Sequence, residues 1–214
     1  MNLDRDLRAG AAALGLTLDD SQVARLLQYL ALLQKWGRVY NLTALLGEQE
    51  MLTHHLLDSL AVIGPLQRQT ANAAVRLLDV GSGAGLPGVV VALCCPNVRV
   101  DCLDAVAKKA AFVQQAAATL TLPNLRGLHG RVERVEDAYD VVSSRAFASL
   151  ADFVTGSRAA LAPSGVWLAM KGKRPDAELA VLPPATDVFH VEQLVVPGLG
   201  AERCIVWMRP AVNR

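Results

Sequence analysis

Apolar positions between Val23 and Leu33 recur at steps of three and four. Val23, Leu26, Leu27, Leu30 and Leu33 share one face, which Tyr29 and Leu32 widen. That period predicts an amphipathic helix from a cap at Asp19 or Asp20 to about Trp36. Met51, His55, Leu56, Ser59 and Leu60 lie close to a second stripe. They predict a helix over about 48–63, ended by Gly64-Pro65. No strand pattern precedes residue 75, so residues 1–65 read as a helical extension packed on the remainder of the chain.

From Ala74 onward the pattern changes. Ala74–Asp79, Asn97–Asp104, Leu125–His129, Tyr139–Ser144 and Gly165–Met170 are short apolar runs that predict strands. Helical stretches stand between most of them, at Gly88–Cys95, Ala107–Leu120 and Leu150–Leu161. This alternation argues an open α/β sheet with mainly parallel strands. Two extended runs, Thr186–Val196 and Arg203–Arg209, are joined by Pro197-Gly-Leu-Gly200 with no helix between them, and so predict a hairpin. Residues 66–214 are therefore expected to form one Rossmann-like domain, a mostly parallel seven-stranded sheet ending in a C-terminal antiparallel hairpin.

Composition narrows this picture only a little. Of 214 residues, 52% are hydrophobic, enough for a sizeable core, and 5% are aromatic, so that core is aliphatic. The formal charge is +1, which does not advertise a nucleic-acid surface, although a local patch can do that work. The N-terminus, with two aspartates and two arginines ahead of any apolar run, is a poor signal peptide. The longest apolar stretch, Gly88–Cys95, stops at Pro96. A cytoplasmic protein with no membrane partner is the expectation. Cys94, Cys95, Cys102 and Cys204 lack metal-ligand or redox spacing and read as reduced core thiols. No metal site is expected.

The chemistry gathers after the first strand, in Asp79-Val-Gly-Ser-Gly-Ala-Gly-Leu-Pro-Gly88. Glycines there allow a tight turn and close approach of a ligand to backbone. The next helix points free N–H groups at the same place. A dinucleotide fingerprint would need a third glycine at position 86, which is Leu86. The G-x-G-x-G spacing favours a smaller nucleoside ligand. Asp79, Gly81, Ser82, Gly83 and Leu86 are its candidate contacts. Asp104 ends the second strand, where an acid accepts hydrogen bonds from a ribose diol or simply caps the following helix. Val132 and Glu133 follow the third strand, where an adenine would lie. Arg145 ends the fourth strand in the cleft, where a guanidinium can clamp a carboxylate or a phosphate.

Several segments carry a resemblance more specific than the fold. They are Asn41-Leu-Thr43, His55-Leu-Leu-Asp-Ser59, the glycine loop through Gly88, Leu103-Asp104 and Arg131-Val-Glu133. Ser144-Arg-Ala-Phe-Ala-Ser-Leu150, Lys171-Gly172, Val196-Pro197 and Glu202-Arg203 come after them in order. Together the chain resembles the small-subunit ribosomal RNA guanine-N7 methyltransferases, the glucose-inhibited division protein B family. The resemblance implies a class I methyltransferase fold, S-adenosyl-L-methionine as methyl donor, and 16S ribosomal RNA as partner, within the small subunit or its precursor. It implies methylation of N7 of the guanine usually numbered 527. A monomer is the expectation for the chain itself. Carried over by position, Gly81, Leu86, Val132, Glu133 and Arg145 would contact the cofactor. Arg145 and Lys171 would position the reactants. Asn41, His55, Lys171, Lys173, Arg174 and Arg203 are candidates for RNA contacts. His54 stands where relatives often have arginine, and Ala84 replaces a frequent proline. A methyltransferase for another RNA or a small molecule, a nicotinamide-dependent oxidoreductase and a non-catalytic RNA-binding module remain as alternatives.

Overall fold

A computed structural model of the protein describes residues 2–43, 45 and 47–211. Helix α1 (Leu3–Ala13) starts where the Asn2 side chain accepts the Arg5 N–H at 3.1 Å, with Asp4 and Asp6 set against the positive helix end. Helix α2 (Asp20–Tyr40) opens with a reciprocal capping box. Asp19 Oδ1 accepts from the Gln22 N–H at 2.7 Å, and Gln22 Oε1 accepts from the Asp19 N–H at 3.0 Å. It runs four residues past Trp36, to a left-handed Asn41 with φ 51°. Val23, Leu26, Tyr29, Leu30 and Leu33 are buried, as the stripe requires.

The second predicted helix is broken up. Helix α3 (Glu48–Met51) passes into a π-helical turn, Leu52–Leu57, and then into α4 (Asp58–Leu60). Gly64-Pro65 does not end a helix. Both lie in the first turn of α5 (Ile63–Thr70), where the N–H that proline lacks has no intrahelical partner to lose. The 65/66 division therefore falls inside α5.

The strands are β1 (Val75–Val80), β2 (Val98–Asp104), β3 (Leu125–His129), β4 (Tyr139–Arg145), β5 (Leu161–Lys171), β6 (Thr186–Leu194) and β7 (Arg203–Pro210). They form one sheet in the order β3-β2-β1-β4-β5-β7-β6. The first five are parallel, and β7 lies antiparallel between β5 and β6. Helices α6 (Gly88–Cys94) and α7 (Ala107–Thr119) make the crossovers from β1 to β2 and from β2 to β3. Helix α8 (Leu150–Gly156) is shorter than predicted. It gives way at Ser157 to a 3-10 turn, and β5 starts at Leu161, four residues early. Ser157 Oγ donates to the Phe153 carbonyl at 2.6 Å and accepts the Trp167 indole N–H at 2.9 Å, which fixes that turn. Pro163 falls within the register shift between β4 and β5, where no ladder N–H is demanded of it.

Two apolar layers sandwich the sheet. One joins Leu26, Leu56 and Leu60 of the helical segment to Val89, Val113 and Ile205 without a seam. The other holds Leu78, Tyr139, Phe153, Trp167 and Met208. Among the described residues no helix is long and apolar enough to cross a membrane. The chain reverses its direction of travel across the sheet between β1 and β4, and ligands in such sheets bind at the carboxyl ends flanking that point.

Candidate active site

The glycine loop leaves the carboxyl end of β1 and bends over β2. Gly81 and Ser82 donate their N–H groups to the Leu103 carbonyl at 2.8 and 3.1 Å, so the loop is moored to the neighbouring strand. Gly81, Gly83 and Gly85 have φ of +67°, +60° and +90°, a region costly for any residue with a Cβ. A Cβ on Gly83 would meet open space, whereas one on Gly85 would lie 2.6 Å from Val89 Cγ2. Gly83 therefore faces outward and Gly85 faces the core. Leu86 is buried, and its N–H and that of Gly85 donate to the Ser82 carbonyl.

Two acids hold this loop. Asp79 is fully buried; Oδ2 accepts the Gly88 N–H at 3.0 Å and Oδ1 accepts the Ser143 hydroxyl at 2.9 Å. It thereby ties the start of α6 to β1 and β4. Burial pushes its carboxyl up to about 6, against the opposing pull of those two donors. Asp104 Oδ2 accepts the Gly83 N–H at 2.9 Å, and Oδ1 accepts the Val106 N–H at 2.8 Å. The two readings of Asp104 are thus compatible. Each carboxylate oxygen takes up to two donors, so loop anchoring leaves acceptor capacity for a diol. An outward glycine cradle with a carboxylate at the end of β2 fits the ribose and amino-acid parts of S-adenosylmethionine.

Beyond β3, a cleft of about 800 Å³ is lined by Leu103, Leu128, His129, Gly130, Arg131 and Val135 among others. Val132 lies in a 3-10 turn (Val132–Arg134) and is buried, while Glu133 is exposed beside Gly156 of α8. A second cleft, of about 420 Å³, stands over β4, β5 and β7, lined by His54, His55, Asp58, Arg145, Met170, Gly172 and Arg203 among others. Here Arg145 Nη1 donates to Asp58 Oδ2 at 3.1 Å and to the His54 carbonyl at 3.3 Å. Arg203 Nε donates to Asp58 Oδ1 at 2.8 Å.

His55 is buried, with Nε2 and Thr43 Oγ1 in hydrogen-bond contact at 2.8 Å. Burial, reinforced by the nearby Arg145 charge, lowers it to about 4, so the ring is neutral near pH 7. Lys171 lines the second cleft but is not a free cation: Glu178 Oε1 and Oε2 accept from its Nζ at 2.9 and 2.8 Å. Arg174 is paired with Asp176 at 2.8 Å, and Lys173 is exposed in the same loop. Asn41 is the left-handed cap of α2, which is a turn role.

Four residues to which the sequence spacings gave no role at the site complete the constellation. Asp58 joins the two arginines. Tyr29 of α2 donates its hydroxyl to the Ala84 carbonyl at 2.7 Å, bracing the glycine loop from below. Ser143 shares Asp79. Glu178 of α9 (Asp176–Leu179) accepts both from Lys171 and from the Leu150 N–H that opens α8. Asp58 and Ser143 fall within or beside the family segments, so position alone flagged them without giving them a role.

Residues 22–206, a region that holds both clefts, match the family described as GidB, rRNA small subunit methyltransferase G. A ribosomal RNA small subunit methyltransferase G of Albidiferax ferrireducens is 64% identical over 217 residues, covering 97% of each chain. One of Acidovorax ebreus is 63% identical over 217 residues, covering 98% of this chain and 96% of its own. Among solved structures, TrmN from Thermus thermophilus superposes with a TM-score of 0.58 at 19% identity, over 75% of this chain and 53% of that one. That likeness shows the class I methyltransferase fold and nothing finer. With a matched region that spans both clefts, and with identity of this order along nearly its full length, the chain belongs to the rRNA small subunit methyltransferase G family.

Proposed function

We propose that this protein transfers a methyl group from S-adenosylmethionine to N7 of one guanine of 16S ribosomal RNA, position 527 in the usual numbering. It does so in the small subunit or its precursor, as a cytoplasmic monomer. The observation that carries this reading is the second cleft. His55, Asp58, Arg145, Gly172 and Arg203 line it, and each belongs to a segment that bears the family resemblance. The curated relatives are named as ribosomal RNA small subunit methyltransferases, which fits an RNA acceptor there.

The bound cofactor supplies an electrophilic methyl on a sulfonium. Guanine N7 has an in-plane lone pair and no proton to lose, so no strong general base is required. Positioning and exclusion of water carry the rate. Gly81 and Gly83 let a ligand approach the loop backbone, and Asp104 holds its ribose. Asp79, Ser82 and Leu86 shape the loop from beneath, and Val132 and Glu133 border the base. A target base must leave its stack to reach such a pocket, which an RNA loop permits at lower cost than a duplex. Arg145 and Arg203 supply positive charge at the cleft. Lys173 and Arg174 are exposed enough to meet phosphates nearby, and Lys171 acts through its pair with Glu178. The helical segment ahead of β1 serves as an extension of the methyltransferase domain and walls the acceptor cleft with His55 and Asp58.

Small subunits purified from cells with and without the gene should differ in N7 methylation at one guanine. Purified protein with labelled S-adenosylmethionine should restore that mark. Labelled methyl appearing elsewhere in the RNA, or not at all, would sink the reading.

A further inference from the structure

The charge balance of the second cleft turns on Asp58. Its side chain is 3% exposed, and among the described residues it is the only carboxylate that bridges two arginines across that cleft. A carboxylate so deeply buried is costly unless charged donors satisfy it, and both its oxygens have one: Arg145 Nη1 and Arg203 Nε. The three groups come from separate parts of the chain: Asp58 from α4 after the π-helical turn, Arg145 from the end of β4, Arg203 from the start of β7. π-Helical turns recur at functional sites because they re-aim side chains that a regular helix would stagger differently.

Two guanidiniums against one carboxylate leave one positive charge in excess. Lys171 does not add to it, being neutralised by Glu178. Neither arginine is exhausted by its contacts. Arg145 Nε and Nη2 and Arg203 Nη2 have no partner among the described residues, and the two side chains are 25% and 24% exposed. The planar fork of each guanidinium suits an oxyanion, and a shared carboxylate fixes the angle and spacing of both forks.

We infer that Asp58 is a positioning residue that holds Arg145 and Arg203 as a preset pair of donors for one oxyanion at the acceptor cleft. This rests on the proposed function for the identity of the acceptor. The oxyanion is either a phosphate beside the target nucleotide or the carboxylate of the bound cofactor; a guanidinium pair recognises both. Asp58 itself touches neither. Without its charge the two arginines repel each other and lose their common orientation, although each still carries its own charge.

The test uses equilibrium binding, so that it is independent of turnover. Asp58→Asn keeps the shape and removes the charge; Asp58→Glu restores the charge one methylene further out. Affinities for S-adenosylmethionine and for purified small subunits are measured on wild type, both variants, Arg203→Gln and the Asp58→Asn/Arg203→Gln double variant. Asp58→Asn is expected to weaken one of the two affinities by about tenfold or more, with partial rescue by Asp58→Glu. The double variant should lose little beyond the larger single loss, since both substitutions break one unit. Loss of particle binding with a shallower salt dependence identifies a phosphate. Loss of cofactor binding identifies the carboxylate. Both affinities unchanged in folded Asp58→Asn, or fully additive losses, would overturn the inference. Should Asp58→Asn not fold, the partly exposed Arg203→Gln decides in the same way: both affinities unchanged there overturns it. A wild type that binds the particle yet leaves guanine unmethylated would sink the proposed function alone.

Discussion

Gly83 and Gly85 stand two residues apart in one loop, yet an added methyl meets different surroundings at each. At Gly85 it would press on Val89 and Val113, at 2.6 and 2.9 Å from their methyl carbons, with φ of +90°. Gly85→Ala is expected to destabilise the fold by about 2–4 kcal/mol, from overpacking plus left-handed strain, as read by chemical denaturation. At Gly83 nothing lies within 4 Å, and φ is +60°. Gly83→Ala should cost only about 1–2 kcal/mol of stability, while weakening S-adenosylmethionine by about tenfold, as read by calorimetric titration. Equal affinity in that variant would move the cofactor off the cradle. This loop was legible in the sequence because its partners are local: glycine spacing, Asp79 and Asp104 all act on backbone within the same β-α-β unit. Asp58 was not, because its arginine partners lie 87 and 145 positions away along the chain. Spacing cannot reveal a contact that only the closed fold creates. Lys171 illustrates the converse: a basic residue after a strand is legible in the sequence, but the Glu178 carboxylate that takes up its charge is not.

At the scale of elements, strong periodicity predicted α2 and the parallel strands well, and it failed where backbone geometry departs from the regular helix. The 48–63 stripe is a single apolar face in sequence, but the π-helical turn at Leu52–Leu57 widens the helix without changing which residues are apolar. Pro65 reads as a stop and proves to be a start, because a proline is tolerated in a first turn as well as beyond a last one. Helix α2 does more than cover the sheet. Its Tyr29, fully buried, supports the glycine loop through the Ala84 carbonyl. Burial raises the Tyr29 hydroxyl well above its usual range, so it stays a protonated donor. Tyr29→Phe leaves that carbonyl buried without this donor and is expected to cost about 1–3 kcal/mol. Because the carbonyl belongs to the loop, cofactor affinity should fall too, by several-fold in the same titration. A stability loss with unchanged affinity would show that the loop holds its shape unaided.

For the whole molecule, the helical segment and the sheet share one core, and two buried groups shifted between pH 4 and 6.5, His55 in the helical segment and Asp79 in the sheet, act on stability with opposite sign. His55, in the π-helical turn, is lowered to about 4 from 6.5. Between those values the unfolded chain binds more protons at this residue, so its contribution is complete above 6.5 and is lost as pH falls toward 4. Asp79, under the glycine loop, is raised to about 6 from 3.8. Between those values the folded chain binds more protons there, so its contribution is complete below 3.8 and is lost as pH rises through 6. Over pH 4 to 6 the two slopes oppose each other, each at most about 1.4 kcal/mol per pH unit. Removing one should expose the other. Relative to wild type, His55→Asn should become progressively less stable as pH rises from 4 to 6.5. Asp79→Asn, which keeps the shape of the carboxylate, should become progressively more stable relative to wild type from pH 4 to 6. Urea denaturation at half-unit steps reads both, and parallel curves for wild type and either variant would show that the group titrates alike in the folded and unfolded chain. The opposite slopes share one physical cause, burial that disfavours the charged form, acting on a base in the helical segment and on an acid in the sheet. Neither shift was legible in the sequence, since burial belongs to the folded molecule and not to the spacing of its residues.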